Sequence, residues 1–193
     1  MNLMKTNPRK TTALKFLGDV DVGKIAQAVA EIPASVWDTE NTHKPNKFEA
    51  LDKTQHIVFR FVKSVQDHKE SYDLPMWSEW AGIIMPVMEQ ATHSYGYKRA
   101  VYPRVMLAKM DPGGVIHPHV DAGPAAGFPH KIHVPLQTNP KVTFYVEPNY
   151  YHLEVGQAYE LNNRVIHAVK NEGTTPRIHL IFEYYDLDQS EAY

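Results

Sequence analysis

Apolar positions along this chain fall into two regimes. Up to about residue 100 they recur first with helical and then with strand spacing; from residue 101 onward, short apolar runs alternate with Gly, Pro and Asn. In the first regime Ile25, Ala28, Val29 and Ile32 share one face of a predicted helix, with Asp21 placed to cap it and Pro33 to end it. The segment from Trp37 to Asp52 is polar, contains Pro45 and is predicted as a loop. His56 to Val62 has the β-branched and aromatic content of a strand. A second helix is predicted from about Met76 to Tyr95, burying Trp77, Trp80, Ile84 and Met88, bending at Pro86 and stopping at Gly96.

The second regime predicts strands over Val101 to Met110, Val115 to Val120, Lys131 to Pro135, Val142 to Val146, Ala158 to Leu161, Val165 to Lys170 and Arg177 to Tyr185. Many short strands at close spacing imply a sandwich or barrel. Two helical patterns ahead of them point to an α+β fold, a double-sheet jelly roll with N-terminal helices buttressing one face. Residues 1–193 are read as one domain: a helical and strand part over about 1–100, a jelly-roll core over about 101–185, and a solvated tail from Asp186 to Tyr193.

Composition narrows the chemistry. A length of 193 residues with 43% hydrophobic content suffices for one core, and a net charge of -2 supplies no basic field for nucleic acid. No cysteine is present, so disulfides, thiolate metal sites and a cysteine nucleophile are excluded, and any metal must take His, Asp or Glu. No apolar run reaches membrane-span length and no signal peptide is predicted, so a cytoplasmic protein is expected. The sequence does not specify the oligomeric state.

Eleven histidines then draw attention to His119-Val-Asp121, His167 and Arg177. Two imidazoles and one carboxylate form the set that holds iron(II) on one face and leaves other positions open for oxygen chemistry. His119 and Asp121 converge if their segment is extended, because alternate strand residues share a face. The tripeptide alone carries little, since roughly 0.6 such tripeptides are expected by chance in a chain so rich in His and Asp. Its context adds weight: a turn at Asp111-Pro-Gly-Gly114 precedes it, and the loop Ala122 to Pro129 follows as a candidate lid. Asn171 to Thr175 is read as a hairpin turn that faces His167 with His179 and makes His167 and Arg177 diagonal neighbours, roughly 7 Å apart at Cα. Arg177 would grip one end of a diacid whose other end chelates iron. Lys131 and His133 share a strand face and are secondary cosubstrate contacts, His117 has the parity of a rival ligand, and Asn163 and Asn171 are candidate supporting partners. Tyr145, Tyr150, Tyr151 and Tyr159 are candidates for lining a substrate cavity.

Three segments carry a family resemblance: Leu107 to Asp121, Lys131-Ile-His-Val-Pro135, and Asn163 to Asn171 followed by Pro176-Arg-Ile-His-Leu-Ile181. Together they resemble the iron(II) and 2-oxoglutarate dependent oxygenases, in their aspartyl/asparaginyl β-hydroxylase-like branch. The resemblance implies a double-stranded β-helix with His119, Asp121 and His167 as metal ligands, Arg177 on the distal carboxylate of 2-oxoglutarate, and His133 as a second contact to it. Lys131 falls where an arginine is common in the animal enzymes, and Ala108 where a polar cosubstrate contact can occur. The animal branch lacks the carboxylate ligand that Asp121 supplies here. The implied reaction consumes O2 and 2-oxoglutarate, releases succinate and carbon dioxide, and hydroxylates an amino-acid side chain, either free or within a peptide or protein. Two alternatives stand beside it: a cupin-type metalloenzyme that does not use 2-oxoglutarate, with His117, His119 and His167 as ligands, and a catalytically silent ligand-binding jelly roll.

Overall fold

The computed structural model describes residues 10, 12–45, 47, 53–121 and 123–189. Its strands are β1 (Leu14–Asp19), β2 (Gln55–Ser64), β3 (Asp67–Asp73), β4 (Ala100–Val101), β5 (Val105–Met110), β6 (Val115–His119), β7 (His130–Gln137), β8 (Val142–Val146), β9 (Asn149–Tyr151), β10 (Gln157–Leu161), β11 (His167–Asn171) and β12 (Arg177–Asp186). Two antiparallel sheets result. The larger runs β1-β10-β7-β12-β5-β2-β3, with β4 also pairing β12, and the smaller runs β6-β11-β8-β9.

The larger sheet is covered on both faces. Alternation along β12 sends Ile178, Leu180, Phe182 and Tyr184 into a core cluster shared with helices α1 (Gly23–Ala30), α2 (Ala34–His43) and α3 (Trp77–Thr92). The opposite face of β12 carries Arg177 and His179 toward the smaller sheet, where Phe144 of β8 lies against both. Packed layers of this kind make a jelly roll, with the helices on the outside of its larger sheet. Ile84, Met88, Ile57 and Leu107 are fully buried in the helix-side core, each stabilising the fold by about 1.5–3 kcal/mol. No helix among the described residues is long and apolar enough to cross a membrane.

Local sequence explains most boundaries. Asp21 Oδ1 accepts the Gly23 N–H at 3.0 Å just ahead of α1, whose Ile25 and Val29 face the core. Helix α3 continues through the exposed Pro86 into a 3-10 turn (His93–Tyr95) that Gly96 ends at φ 65°. Helix α2 lies where a loop was expected. Trp37 is its one buried residue, so no apolar stripe announces it; side-chain bonds fasten it instead, from Gln55 Nε2 to Asp38 Oδ1 at 2.6 Å and from the His56 N–H to Asn41 Oδ1 at 3.1 Å. The remainder of that expected loop, at 46 and 48–52, lies outside the described residues. The sequence patterns also passed over β1, β3 and β9. All three are edge strands, and the polar Asp-His-Lys-Glu-Ser-Tyr-Asp of β3 is how a solvent-facing edge resists pairing with another chain.

The expected hairpin between residues 167 and 177 is absent. β11 pairs with β6 and β8 in the smaller sheet, whereas β12 pairs with β5 and β7 in the larger one. Asn171 to Arg177 is therefore a crossover between sheets. His167 lies opposite His119 and Val146, not opposite His179. The expected solvated tail begins later than predicted: β12 reaches Asp186, and the Leu187 N–H donates to Arg99 O at 2.8 Å. Residues 190–193 lie outside the described set.

Candidate metal centre and anion pocket

His119 ends β6 and His167 begins β11, so antiparallel pairing puts their rings side by side with centroids 4.3 Å apart. Asp121 follows the strand end, and its N–H donates to Asn163 O at 3.0 Å, a bond that continues the strand-like approach. Its Oδ1 then lies 3.6 Å from His119 Nε2 and 3.7 Å from His167 Nε2. One donor atom from each of the three residues falls within 4.8 Å of the others, a span that one ion about 2.1 Å from each ligand would draw together.

Hydrogen bonds select the protonation needed for coordination. Each imidazole places Nδ1 against the carbonyl two residues before it, His117 O at 2.8 Å and Val165 O at 3.0 Å. Nδ1 must then carry the hydrogen, which leaves each Nε2 lone pair aimed at the common point. Burial lowers the pKa of His167 to about 4, with the Lys131 charge acting in the same direction, so this ring is neutral at physiological pH. The neighbouring Asp121 carboxylate raises that of His119. Burial pushes the Asp121 carboxyl up, yet the Lys131 ammonium and the two imidazoles hold it well below the usual carboxylate range. The Asp121 oxygens divide their work. Oδ2 accepts from Lys131 Nζ and from Asn163 Nδ2 at 3.0 Å, which leaves Oδ1 alone facing the histidines.

His117 does not join this group. Pairing runs His167 with His119 but Val169 with Ile116, so β6 contains one extra residue. That bulge breaks the simple alternation, buries Ile116 and leaves the His117 side chain exposed. The three-histidine set of the cupin alternative is therefore not brought together.

Deeper between the sheets lies a second cluster. Arg177 is 1% exposed, and its guanidinium carbon stands 5.4 Å from the Phe144 ring. His179 stacks on the same ring at 5.4 Å, and His133 meets it edge-on at 6.1 Å. The two histidines face each other through Nδ1 atoms 3.4 Å apart. Nε and Nη1 of Arg177 and the Nε2 atoms of both histidines are buried without a hydrogen-bond partner among the described residues. Burial lowers both imidazole pKa values well below the ordinary range, and that of Arg177 to about 10. The pocket thus presents one fixed positive charge flanked by neutral imidazoles. Sharing one hydrogen between the facing Nδ1 atoms leaves one of the two Nε2 atoms as a donor, and that donor together with the guanidinium N–H groups is what a carboxylate would satisfy.

Several expected contributors lie elsewhere. Asn171 braces the crossover, donating to Met110 O at 3.2 Å and Thr175 O at 3.0 Å. Tyr145 and Tyr150 lie against each other with tilted rings, centroids 5.0 Å apart, on the outer face of the smaller sheet. Tyr159, by contrast, lies opposite His133 in the larger sheet, and it and Tyr151 pack in the apolar cluster that contains Phe144. The loop after Asp121 contains α4 (Pro124–Gly127) and is fastened by Arg104 Nη1 to Ala125 O at 3.1 Å and by Asn163 Nδ2 to Ala126 O at 2.9 Å. His179 was legible as a pocket residue, since it stands two positions after Arg177 on the same strand face.

Comparison with known proteins fits this geometry. No protein of curated function matches the chain. Among solved structures, a viral collagen prolyl hydroxylase from Paramecium Bursaria Chlorella virus-1 is similar at TM-score 0.56 and 11% identity, covering 93% of this chain and 98% of that one. A 2OG-Fe(II) oxygenase family oxidoreductase from Burkholderia pseudomallei is similar at 0.53 and 12%, covering 88% and 92%. A prolyl-4-hydroxylase from Pseudomonas putida is similar at 0.50 and 10%, covering 91% and 93%. Identities this low establish a shared fold. The sequence match goes further, because residues 81–186, more than half the chain and all three clustered donors, fit the family described as aspartyl/asparaginyl beta-hydroxylase. The chain belongs to the aspartyl/asparaginyl β-hydroxylase family.

Proposed function

We propose that this chain, acting as one catalytic domain, is an iron(II) and 2-oxoglutarate dependent dioxygenase that hydroxylates an amino-acid side chain, free or within a peptide or protein. The observation that supports it best is the pairing of two unlike sites in one interior: the His119, Asp121 and His167 donor set, and the orphaned donors around Arg177. Two imidazole nitrogens and one carboxylate oxygen suit iron(II) and leave coordination positions for a chelating 2-oxo acid and O2. When bound, iron with 2-oxoglutarate and O2 supplies the oxidising power to insert oxygen into a carbon–hydrogen bond.

The residues of the chain have separate tasks. His119 and His167 keep bare Nε2 atoms because backbone carbonyls hold their Nδ1 hydrogens. Lys131 and Asn163 occupy Asp121 Oδ2, so the carboxylate would offer a metal its other oxygen alone. Arg177 takes the far carboxylate of 2-oxoglutarate with His133 beside it, and Lys131 adds positive charge near the chelating end.

Anaerobic titration of iron(II) and then 2-oxoglutarate into the purified protein tests this directly. A visible charge-transfer band is expected, absent in His167→Ala and requiring on the order of 100-fold more 2-oxoglutarate in Arg177→Met, the loss of about two charge-assisted hydrogen bonds. Iron binding with no band would overturn the cosubstrate assignment, and no iron binding would overturn the enzyme. Succinate release can then be screened against free amino acids and peptides.

A further inference from the structure

We propose that Lys10 is a positioning residue for the metal centre: its ammonium orients the Asn163 carboxamide, which in turn holds the second oxygen of Asp121. The inference rests on the reading of His119, Asp121 and His167 as metal ligands. A carboxamide is nearly symmetric in shape, so its partners decide which end points where. Lys10 Nζ can only donate, and it meets Asn163 Oδ1 at 2.5 Å. Ala126 O can only accept, and it meets Asn163 Nδ2 at 2.9 Å. Together they fix the amide so that its other N–H points at Asp121 Oδ2, 3.0 Å away. The flipped amide would set donor against donor at Lys10, oxygen against oxygen at Ala126, and a carbonyl against the carboxylate.

The chain delivers Lys10 to this point deliberately. Asn162, next to Asn163, donates its side-chain amide to Lys10 O at 3.2 Å and its backbone N–H to Ala13 O at 2.9 Å. The segment before β1 is thereby clamped onto the end of β10. Lys10 itself is expensive to keep there. Burial lowers its pKa from 10.5 to about 8 against the pull of Glu160 and Glu183, and no carboxylate among the described residues lies within ion-pair distance of Nζ. A half-buried ammonium that has given up part of its hydration and has no paired carboxylate is a poor source of stability, so fold stability alone does not account for the residue. Orientation of the carboxamide that touches Asp121 does.

Manganese(II) affinity, read by electron paramagnetic resonance of the free ion, separates this role from a structural one. Outer partners of metal ligands commonly matter by 10–100-fold. Lys10→Met is expected to weaken manganese binding about tenfold in the wild-type background and by less than about twofold in an Asn163→Ala background, because its effect passes through that amide. Lys10→Arg, which keeps a donor, should recover most of the affinity. Thermal unfolding of each variant without metal confirms that the folded protein is being compared. Wild-type protein that binds no manganese would overturn the metal-site reading and this proposal with it. Wild-type binding matched by Lys10→Met, or equal losses in both backgrounds, would overturn this proposal alone.

Discussion

Each imidazole of the proposed metal centre is set by its own backbone, through a carbonyl two residues upstream, and Arg177, His179 and His133 are all set against Phe144. The two sites should therefore fail independently. His179→Leu removes one orphaned nitrogen while keeping bulk against the Phe144 ring. It is expected to weaken 2-oxoglutarate binding about 5–10-fold, the worth of one neutral hydrogen bond, while manganese affinity stays unchanged. Arg177→Lys should cost more than tenfold, because an ammonium cannot present the guanidinium fork. Equal 2-oxoglutarate affinity in His179→Leu and wild type would remove His179 from the pocket. At this scale residue type and parity singled out His119, Asp121 and His167, whose donor atoms do cluster; Arg177 was reached through a hairpin that does not form, and its role and that of His133 belong to the proposed function. Lys10 was not legible. Its contact spans 153 positions, and no local pattern marks this lysine as one that bonds to Asn163.

Elements were harder to read than residues, and the reason is visible in two places. The bulge in β6 inserts one residue between Ile116 and His119, so parity counting from His119 admitted His117 wrongly. The segment between His167 and Arg177 has turn chemistry and hairpin length, yet its strands enter different sheets. Short-range sequence encodes that the chain turns there; long-range partners decide which sheet receives each strand. Asn171 holds the crossover in place. It is fully buried, its Oδ1 accepts from the Gly173 N–H at 3.2 Å and Asn139 Nδ2 at 3.0 Å, and its Nδ2 donates to Met110 O and Thr175 O. Asn171→Ala would leave several of these groups buried and unpaired, at a cost of about 2–3 kcal/mol. Because Arg177 begins the strand that follows, the same variant should also weaken 2-oxoglutarate binding. Urea unfolding and a cosubstrate titration measure the two effects; a stability change under about 0.5 kcal/mol would show that the crossover is held by its backbone alone.

At the scale of the whole molecule, the jelly roll has an interior rich in buried histidine. Burial, aided by neighbouring positive charge, depresses the pKa of His56 to about 3 and of His167 to about 4, and those of His133 and His179 well below 6.5. These rings are neutral when folded and take up protons near pH 6.5 when unfolded, so the unfolded state binds more protons throughout the window below 6.5. Stability must then fall as pH drops from about 6.5 toward the folded-state values. His119 works in the opposite sense: its pKa is raised by Asp121, so its contribution is full below 6.5 and is lost as pH rises through the folded value. The four depressed histidines outweigh the one raised, so the metal-free protein loses stability between pH 7.5 and 5.5, each ring that stays neutral when folded contributing about 1.4 kcal/mol to the loss. Urea unfolding in the presence of a chelator at pH 7.5, 6.5 and 5.5 measures it, and His179→Gln should recover about 1.4 kcal/mol of the loss at pH 5.5 by deleting one of the protons taken up. A free energy of unfolding constant within about 1 kcal/mol across that range would mean that the interior histidines are protonated in the folded state, which would also deny His167 the bare nitrogen that metal binding requires.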